Sequence, residues 1–342
     1  MSGEQDDVSL AGWVTRRYGR YLAGRYMHPH ARKVFGIDPT QVPSSWATQR
    51  IAAPPMRAIL ATALPARRQK TVPTSAADTF LYPRGGLNAL WSGFVDTIGS
   101  RARWLFDSRV ESIARPAGGR TRVVVSSPGG EVVLSCRRVI WTGRPEDLAS
   151  SIGLGALGAS IVAKSRRRDL VVGVVRLGAM PRAWEGFQWV YTHDDGVRAH
   201  RFNHYDQWCC LRSANGIIGL EYSVDAGASF DARAHVLDDM AVLLKKAPAE
   251  YLGSEVARDA YSTFDASTAE LALLDHALRE FGPGVVSTGR QGAGLYINLY
   301  EALELGAHVA DAADREQQGG EHEDVGVDRP QQLARVGVQV AL

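Results

Sequence analysis

Apolar and aromatic residues recur at Leu10, Val14, Tyr18, Leu22 and Tyr26, with arginines between them. A spacing of four places them on one stripe of a helix. Residues 8–35 therefore predict an amphipathic helix or helix pair, ended by Gly36. Ser44 and Ser45 stand where they can cap a short helix over 46–51. The stretch from Ala52 to Thr74, rich in Pro, Ala and Arg, has weak periodicity and reads as a connection. Phe80-Leu-Tyr-Pro-Arg-Gly-Gly86 reads as a turn, followed by a helical pattern over 87–98.

Alternation then takes over. Residues 104–106 and 109–113 read as short strands, and 121–126 and 131–136 as a hairpin around Pro128-Gly-Gly130. Val139-Ile-Trp-Thr142 reads as a buried strand leading into Gly143. Further strands are predicted at 169–177, 187–192, 197–203 and 216–224, with Asp194-Asp-Gly196 as a turn. Amphipathic helices are predicted over 230–246 and 268–281. A short apolar run from Val285, a loop carrying Gly289, Gly292 and Gly294, and a periodic segment to Gly306 read as strand, tight turn and helix. From about Asp311 the chain is rich in Gln, Glu and Gly, and residues 312–342 are expected to be a disordered tail. The pattern is α+β in the middle, with α/β pieces at 80–150 and 283–310.

Composition narrows the picture. A length of 342 residues predicts about two domains of ~150 residues. The 45% hydrophobic content supports folded cores. A net charge of +2 with scattered arginines gives no case for a nucleic-acid partner, and Arg67-Arg68 and Arg166-Arg167-Arg168 read as solvated loop or helix ends. Three cysteines, Cys136, Cys209 and Cys210, build no disulfide framework and read as reduced thiols. With neither a secretion signal nor an apolar run of membrane length, the expectation is a cytoplasmic chain without a membrane span.

The candidate chemistry sits at the glycine-rich turn. Gly289, Gly292 and Gly294 permit a backbone to pass close to something flat or charged. The following helix would point free N–H groups back into that loop, which suits phosphate. This is one half of a dinucleotide pocket; the other half, an early strand, Gly-x-Gly-x-x-Gly turn and helix, is not found ahead of the first predicted helix. The bland reading is a structural turn, with Tyr296 packed and Asn298 capping a helix.

Other candidates carry less. His28, His30, His193, His200 and His204 supply no recognised ligand spacing, so no metal is expected. Ser213, Cys209 and Cys210 lack a nucleophile signature. Asp38, Asp206 and Glu221 are available acids or bases, with nothing in the sequence to choose among them. Trp189, Tyr191, Phe202, Tyr205 and Trp208 either fill one sheet face or line a cavity where flat or sugar-like ligands stack.

Taken in order, several segments resemble the FAD-dependent amine-oxidase-like flavoproteins, in particular their protoporphyrinogen-oxidase-like and UDP-galactopyranose-mutase-like branch. Its closing motif is matched by Gly289-Arg290, Gly292 and Tyr296-Ile-Asn298 with Glu301-Ala302, although Tyr300 stands where an Asp is usual. Residues 26–36 and 46–51 look like the helical segment placed over the substrate. Tyr82-Pro-Arg-Gly-Gly86 resembles a turn near the flavin, Arg109-Val-Glu-Ser-Ile113 the strand holding the adenine end, and Val139-Ile-Trp-Thr-Gly143 the strand returning to the cofactor. Leu220-Glu-Tyr-Ser223 resembles a strand of the substrate domain.

The resemblance covers roughly residues 10–311 and implies an α/β fold with an α+β substrate domain. An incomplete FAD/NAD(P)-binding Rossmann-like domain, 76–150 and 280–311, is interleaved with a mixed-sheet-plus-helices domain made of a helical part, 8–75, and a sheet with helices, 155–275. It implies FAD as cofactor, with Gly85, Gly86, Val110, Thr142, Gly143, Gly289, Arg290, Gly292, Tyr296 and Asn298 near it. Arg84, Arg144 and Tyr82 would meet a small-molecule substrate. The implied activity is an oxidoreductase removing hydride from a C–N or C–C unit, with no obligatory side-chain base. The alternatives are flavin-dependent sugar mutation without net oxidation, and a non-catalytic remnant or subunit. The family's N-terminal strand–glycine-turn–helix unit has no counterpart here, so the chain is expected to be truncated, to need a polypeptide partner carrying that unit, or to have lost the flavin.

Overall fold

A computed structural model of the chain describes residues 8–51, 81–116, 119–184, 186–208, 216–244, 249–264, 269–282, 284–294 and 297–317. In chain order the elements are α1 (Leu10–Leu22), α2 (His28–Phe35), α3 (Ser45–Arg50), α4 (Gly86–Ile98), β1 (Arg109–Ala114), β2 (Thr121–Ser127), β3 (Gly130–Cys136), β4 (Val139–Trp141), α5 (Pro145–Ser151), α6 (Gly155–Lys164), β5 (Ser165–Leu177), β6 (Trp189–Tyr191), β7 (Arg201–His204), β8 (Ile217–Asp225), α7 (Ala232–Leu244), β9 (Ala249–Phe264), α8 (Ala269–Phe281), β10 (Val285–Ser287), α9 (Gly289–Gly292) and α10 (Leu299–Gln317). They fall into two compact units: residues 1–102 with 167–263, and residues 103–166 with 264–342.

In the first unit, α1 and α2 are the predicted helix pair, joined by a π-helical turn over Ala23–Met27. Pro29 falls in the first turn of α2, where its missing N–H costs nothing, and Gly36 closes the helix in the left-handed conformation. Leu10, Trp13, Val14, Phe35 and Val42 bury a small core there. The sheet runs β6-β7-β8-β5-β9. Val171, Val175, Phe202, Ile218 and Leu220 pack one of its faces against Val236 and Met240 of α7. The alternation that predicted β5 and β8 is the half-buried pattern of such a sheet. The long β9 escaped the sequence reading: Glu250, Glu255, Arg258 and Asp259 interrupt its apolar run. Arg168 corrects the expectation of a solvated arginine run. It lies buried in β5, donating to Ser223 Oγ and the Asp225 carboxylate, each at 2.7 Å. A buried guanidinium is tolerable once its donors are met.

In the second unit, β1-β2-β3 form an antiparallel sheet, and β10 pairs in parallel with β4, Val285 opposite Val139 and Ser287 opposite Trp141. Ile113, Val123, Leu148, Ile161, Leu274 and Val285 share the core with α5, α6 and α8. Two expectations change. Residues 104–106 are not a strand: Trp104 and Phe106 stack their rings 6.2 Å apart, and Asp107 in the left-handed region (φ 50°) turns the chain before β1. The tail expected from about residue 312 is helical as far as Gln317, because Leu305, Val309 and Ala312 bury one stripe of α10. Residues 318–342 lie outside the described residues, as do the connection over 52–80, Cys209, Cys210 and Ser213. No helix among the described residues is long and apolar enough to cross a membrane.

Candidate functional site

In the second unit the parallel pair sets the geometry. Both strands end together: Thr288 N–H donates to Trp141 O at 2.9 Å, and Val139 N–H to Gly284 O at 2.7 Å. Each then enters a tight turn, Thr142-Gly143-Arg144 leading into α5 and Thr288-Gly289 leading into α9. The carboxyl ends of parallel strands are where ligands lie in α/β folds. The two turns are locked side by side. Gly289 has φ 78°, and a Cβ on Gly292 would stand 2.7 Å from Trp141 O. Only glycine permits that approach. Ser287 Oγ donates to Gly292 O at 2.8 Å, and Trp141 Nε1 folds back onto Arg144 O at 3.0 Å.

Thr142, Gly143, Arg144, Gly289, Arg290 and Gly292 are thus brought into neighbouring turns and their first helical residues. Arg144 is already engaged, with Nε 2.8 Å from the Asp147 carboxylate and 3.8 Å from that of Glu146. Arg290 is exposed on α9. Val110 lies apart on β1, partly buried and opposite Val125. Tyr296 lies outside the described residues.

The helix after the glycine turn differs from expectation. α9 has only 4 residues, and the long α10 begins at Leu299. The N–H of Asn298 donates to Glu301 Oε2 at 2.5 Å, half of a capping box. A carboxylate already occupies this helix start, so it is no seat for phosphate.

Sequence reasoning missed Thr288. It is 3% exposed, and its hydroxyl has no hydrogen-bond partner among the described residues. Buried hydroxyls are nearly always paired. The Ser-Thr-Gly at the strand end was the available signal.

In the first unit, Tyr82 meets Trp208 edge to face at 5.6 Å, and Gly86 N–H closes the turn on Pro83 O at 2.9 Å. Arg84 and Gly85 are exposed in that turn. One sheet face there is polar. Glu221, 4% exposed, accepts from Arg201 Nη2 at 2.6 Å and Asn203 Nδ2 at 2.5 Å. The register puts Trp189 and Tyr191 on the same face. From α2, His30 stands edge-on to Tyr191 at 4.9 Å. Burial lowers the pKa of His30 to about 4, helped by the charges of Lys33 and Arg201 and opposed by its hydrogen bond to Thr192. Burial likewise holds the pKa of His200 well below that of an ordinary histidine. Both rings are neutral at pH 7. Of the candidate acids and bases, Asp38 is exposed at a turn, while Glu221 is committed to this cluster. Among the described residues no group of three or more His, Cys, Asp or Glu is arranged to hold a metal ion.

No protein-family model matches the chain. The crystal structure of reduced UDP-galactopyranose mutase matches 95% of this chain and 70% of its own, with a TM-score of 0.73 at 18% sequence identity. That of a CLA-producing fatty acid isomerase from P. acnes matches 91% of this chain and 66% of its own, with a TM-score of 0.53 at 12% identity. At such identities the likeness is one of fold: the chain has a mixed α/β fold similar to that of UDP-galactopyranose mutase.

Proposed function

We propose that this chain is a FAD-dependent enzyme of the mutase type, acting on a nucleotide sugar. The observation that carries the cofactor is the pair of strand-end turns with the buried Thr288 hydroxyl, which has no hydrogen-bond partner among the described residues, at the end of one of them. Such a hydroxyl, beside a glycine backbone, fits the polar edge of a flat ring system. Thr142, Gly143, Thr288, Gly289 and Gly292 would hold that edge. FAD, when bound, supplies hydride or electron-pair chemistry that no side chain can. The chain's own contribution is a rigid backbone seat and a hydroxyl able to donate or accept a proton in a hydrogen bond. Substrate recognition is assigned to the polar face of the first unit, where Trp189 and Tyr191 offer stacking surface and Arg201, Asn203 and Glu221 offer hydrogen bonds. Glu301 closes the start of α10 to a pyrophosphate, and a polypeptide with a strand, Gly-x-Gly-x-x-Gly turn and helix is proposed as the source of that seat.

A second reading, net oxidation of a C–N or C–C unit, is favoured by one observation. Arg144 is held by Asp147 and Glu146, whereas gripping a sugar-nucleotide pyrophosphate calls for uncommitted arginines. The first test is the visible spectrum of the purified chain after FAD addition and desalting. A retained flavin band is expected, and a colourless protein overturns autonomous cofactor binding. The dithionite-reduced protein given UDP-galactose then separates the readings: ring-contracted product supports the mutase, and its absence together with substrate-dependent oxygen uptake by the oxidised form supports the oxidase.

A further inference from the structure

The corner between α1 and α2 has no part in the flavin reading, and it exposes basic and apolar groups together. Gly19 leaves the helical region (φ 79°, ψ 160°) inside α1, and the π-helical turn Ala23–Met27 leads on into α2. Both flanks are anchored in one core, by Leu10, Trp13 and Val14 before the corner and by Ala31 and Phe35 after it. Between them every residue from Gly19 to Tyr26 is exposed except Ala23, which is fully buried. Tyr21, Leu22 and Tyr26 are 75%, 46% and 41% exposed. Single exposed apolar groups are ordinary, but three within six consecutive residues at a helix corner are a surface with a use.

The charge around them has one sign. From Val8 to Ile37 the chain carries five arginines and one lysine and no Asp or Glu. The acids that reach this helix pair act on α2: Asp38 pairs with Arg32 at 3.3 Å, and the charges of Asp194 and Asp195 act on Lys33. Arg20 and Arg25, both exposed at the corner, have no ion pair among the described residues. Each is followed directly by one of the exposed tyrosines, as Arg20-Tyr21 and Arg25-Tyr26. The combination selects the partner. A nucleic-acid backbone would match the guanidinium groups and give Leu22 nothing to bury against. An anionic lipid surface meets both: its phosphates take the arginines, and tyrosine and leucine settle where headgroups give way to acyl chains.

We infer that the α1–α2 corner docks on an anionic lipid bilayer, with Arg20 and Arg25 at the phosphates and Tyr21 and Leu22 seated in the interface. The contact is peripheral, and it stands independently of the flavin. Its test is co-sedimentation of the full chain with vesicles of phosphatidylcholine alone and with vesicles containing about 30% phosphatidylglycerol, at low salt where surface charge is least screened. Partition onto the anionic vesicles only is expected, with release as salt is raised. Arg20→Gln combined with Arg25→Gln is expected to weaken partition about 25-fold, at roughly fivefold per arginine, whereas Arg20→Lys combined with Arg25→Lys retains it. Leu22→Ser keeps the charge and is expected to weaken partition about fivefold through lost apolar contact. All three positions are exposed, so the melting temperature should stay where it is. Absence of partition, equal partition onto the two vesicles, or indifference to either the arginine or the leucine change would overturn the proposal. Tighter binding of a fluorescent oligothymidylate than of the vesicles, lost with the two arginines and untouched by Leu22→Ser, would overturn it in favour of a nucleic acid.

Discussion

The polar face of the first unit's sheet and the strand-end turns of the second solve opposite problems. On the first, Arg201 and Asn203 bring donors to the buried Glu221 Oε1, while Glu221 Oε2 has no hydrogen-bond partner among the described residues. At the second, the working groups are mostly backbone, brought close by Gly289 and Gly292, and the buried Thr288 hydroxyl has no hydrogen-bond partner among the described residues. A layer of hydrogen-bonded charged side chains adds to the stability of a fold and depends on pH. A backbone cradle with an unpaired hydroxyl contributes little to stability and is poised for a ligand.

The largest expected effect tests the first half of that contrast. His30 titrates near 4 in the fold and near 6.5 when unfolded, so the unfolded chain binds more protons between those values. Stability is therefore full above about pH 6.5 and falls as pH drops towards 4, by about 3 kcal/mol from His30, with His200 acting in the same direction. Urea midpoints measured from pH 7.5 to 4.5 check this; a flat profile would remove the idea of a pH-sensitive layer. Next comes Glu221→Ala, which leaves Arg201 and Asn203 without their acceptor and should cost about 3 kcal/mol. Arg201 is partly exposed and can recover water, which keeps the cost at the lower end of such changes.

The second half is tested by smaller effects. Gly292→Ala places a Cβ against Trp141 O and should destabilise by about 1–3 kcal/mol, read as a lower melting temperature, because the turns must part. Thr288→Val is expected to change the melting temperature least, since the hydroxyl has no partner to lose among the described residues, yet to reduce flavin retained after desalting at least tenfold. A stability loss with unchanged flavin would make Thr288 a structural residue and erase the contrast.

Much of this was legible from residue order. The alternation at 121–126 and 131–136 and the apolar runs at 169–177 and 216–224 became β2, β3, β5 and β8, because a period of two reports a half-buried strand whatever its neighbours. The strand before Gly289 was legible because short apolar runs ending in glycine have few other uses. α5, α6 and β9 were not read: their small or charged residues carry weak periodicity, and burial against partners distant in sequence holds them in place. Arg168 read as surface because three arginines in a row usually are, and only the pairing of β5 with β8 supplies Ser223 and Asp225 to meet it.

By itself the sequence determined the glycines, the strand-forming alternation and the supply of aromatic and charged side chains. These follow from local sterics and from the period at which apolar groups repeat. The tertiary structure alone decided which turns lie side by side, that Glu301 closes the start of α10 to an anion, and that Thr288 and His204 are buried with a polar atom unmet. Those outcomes depend on parallel or antiparallel registers between segments far apart in the chain, and no local pattern encodes a register across such a separation.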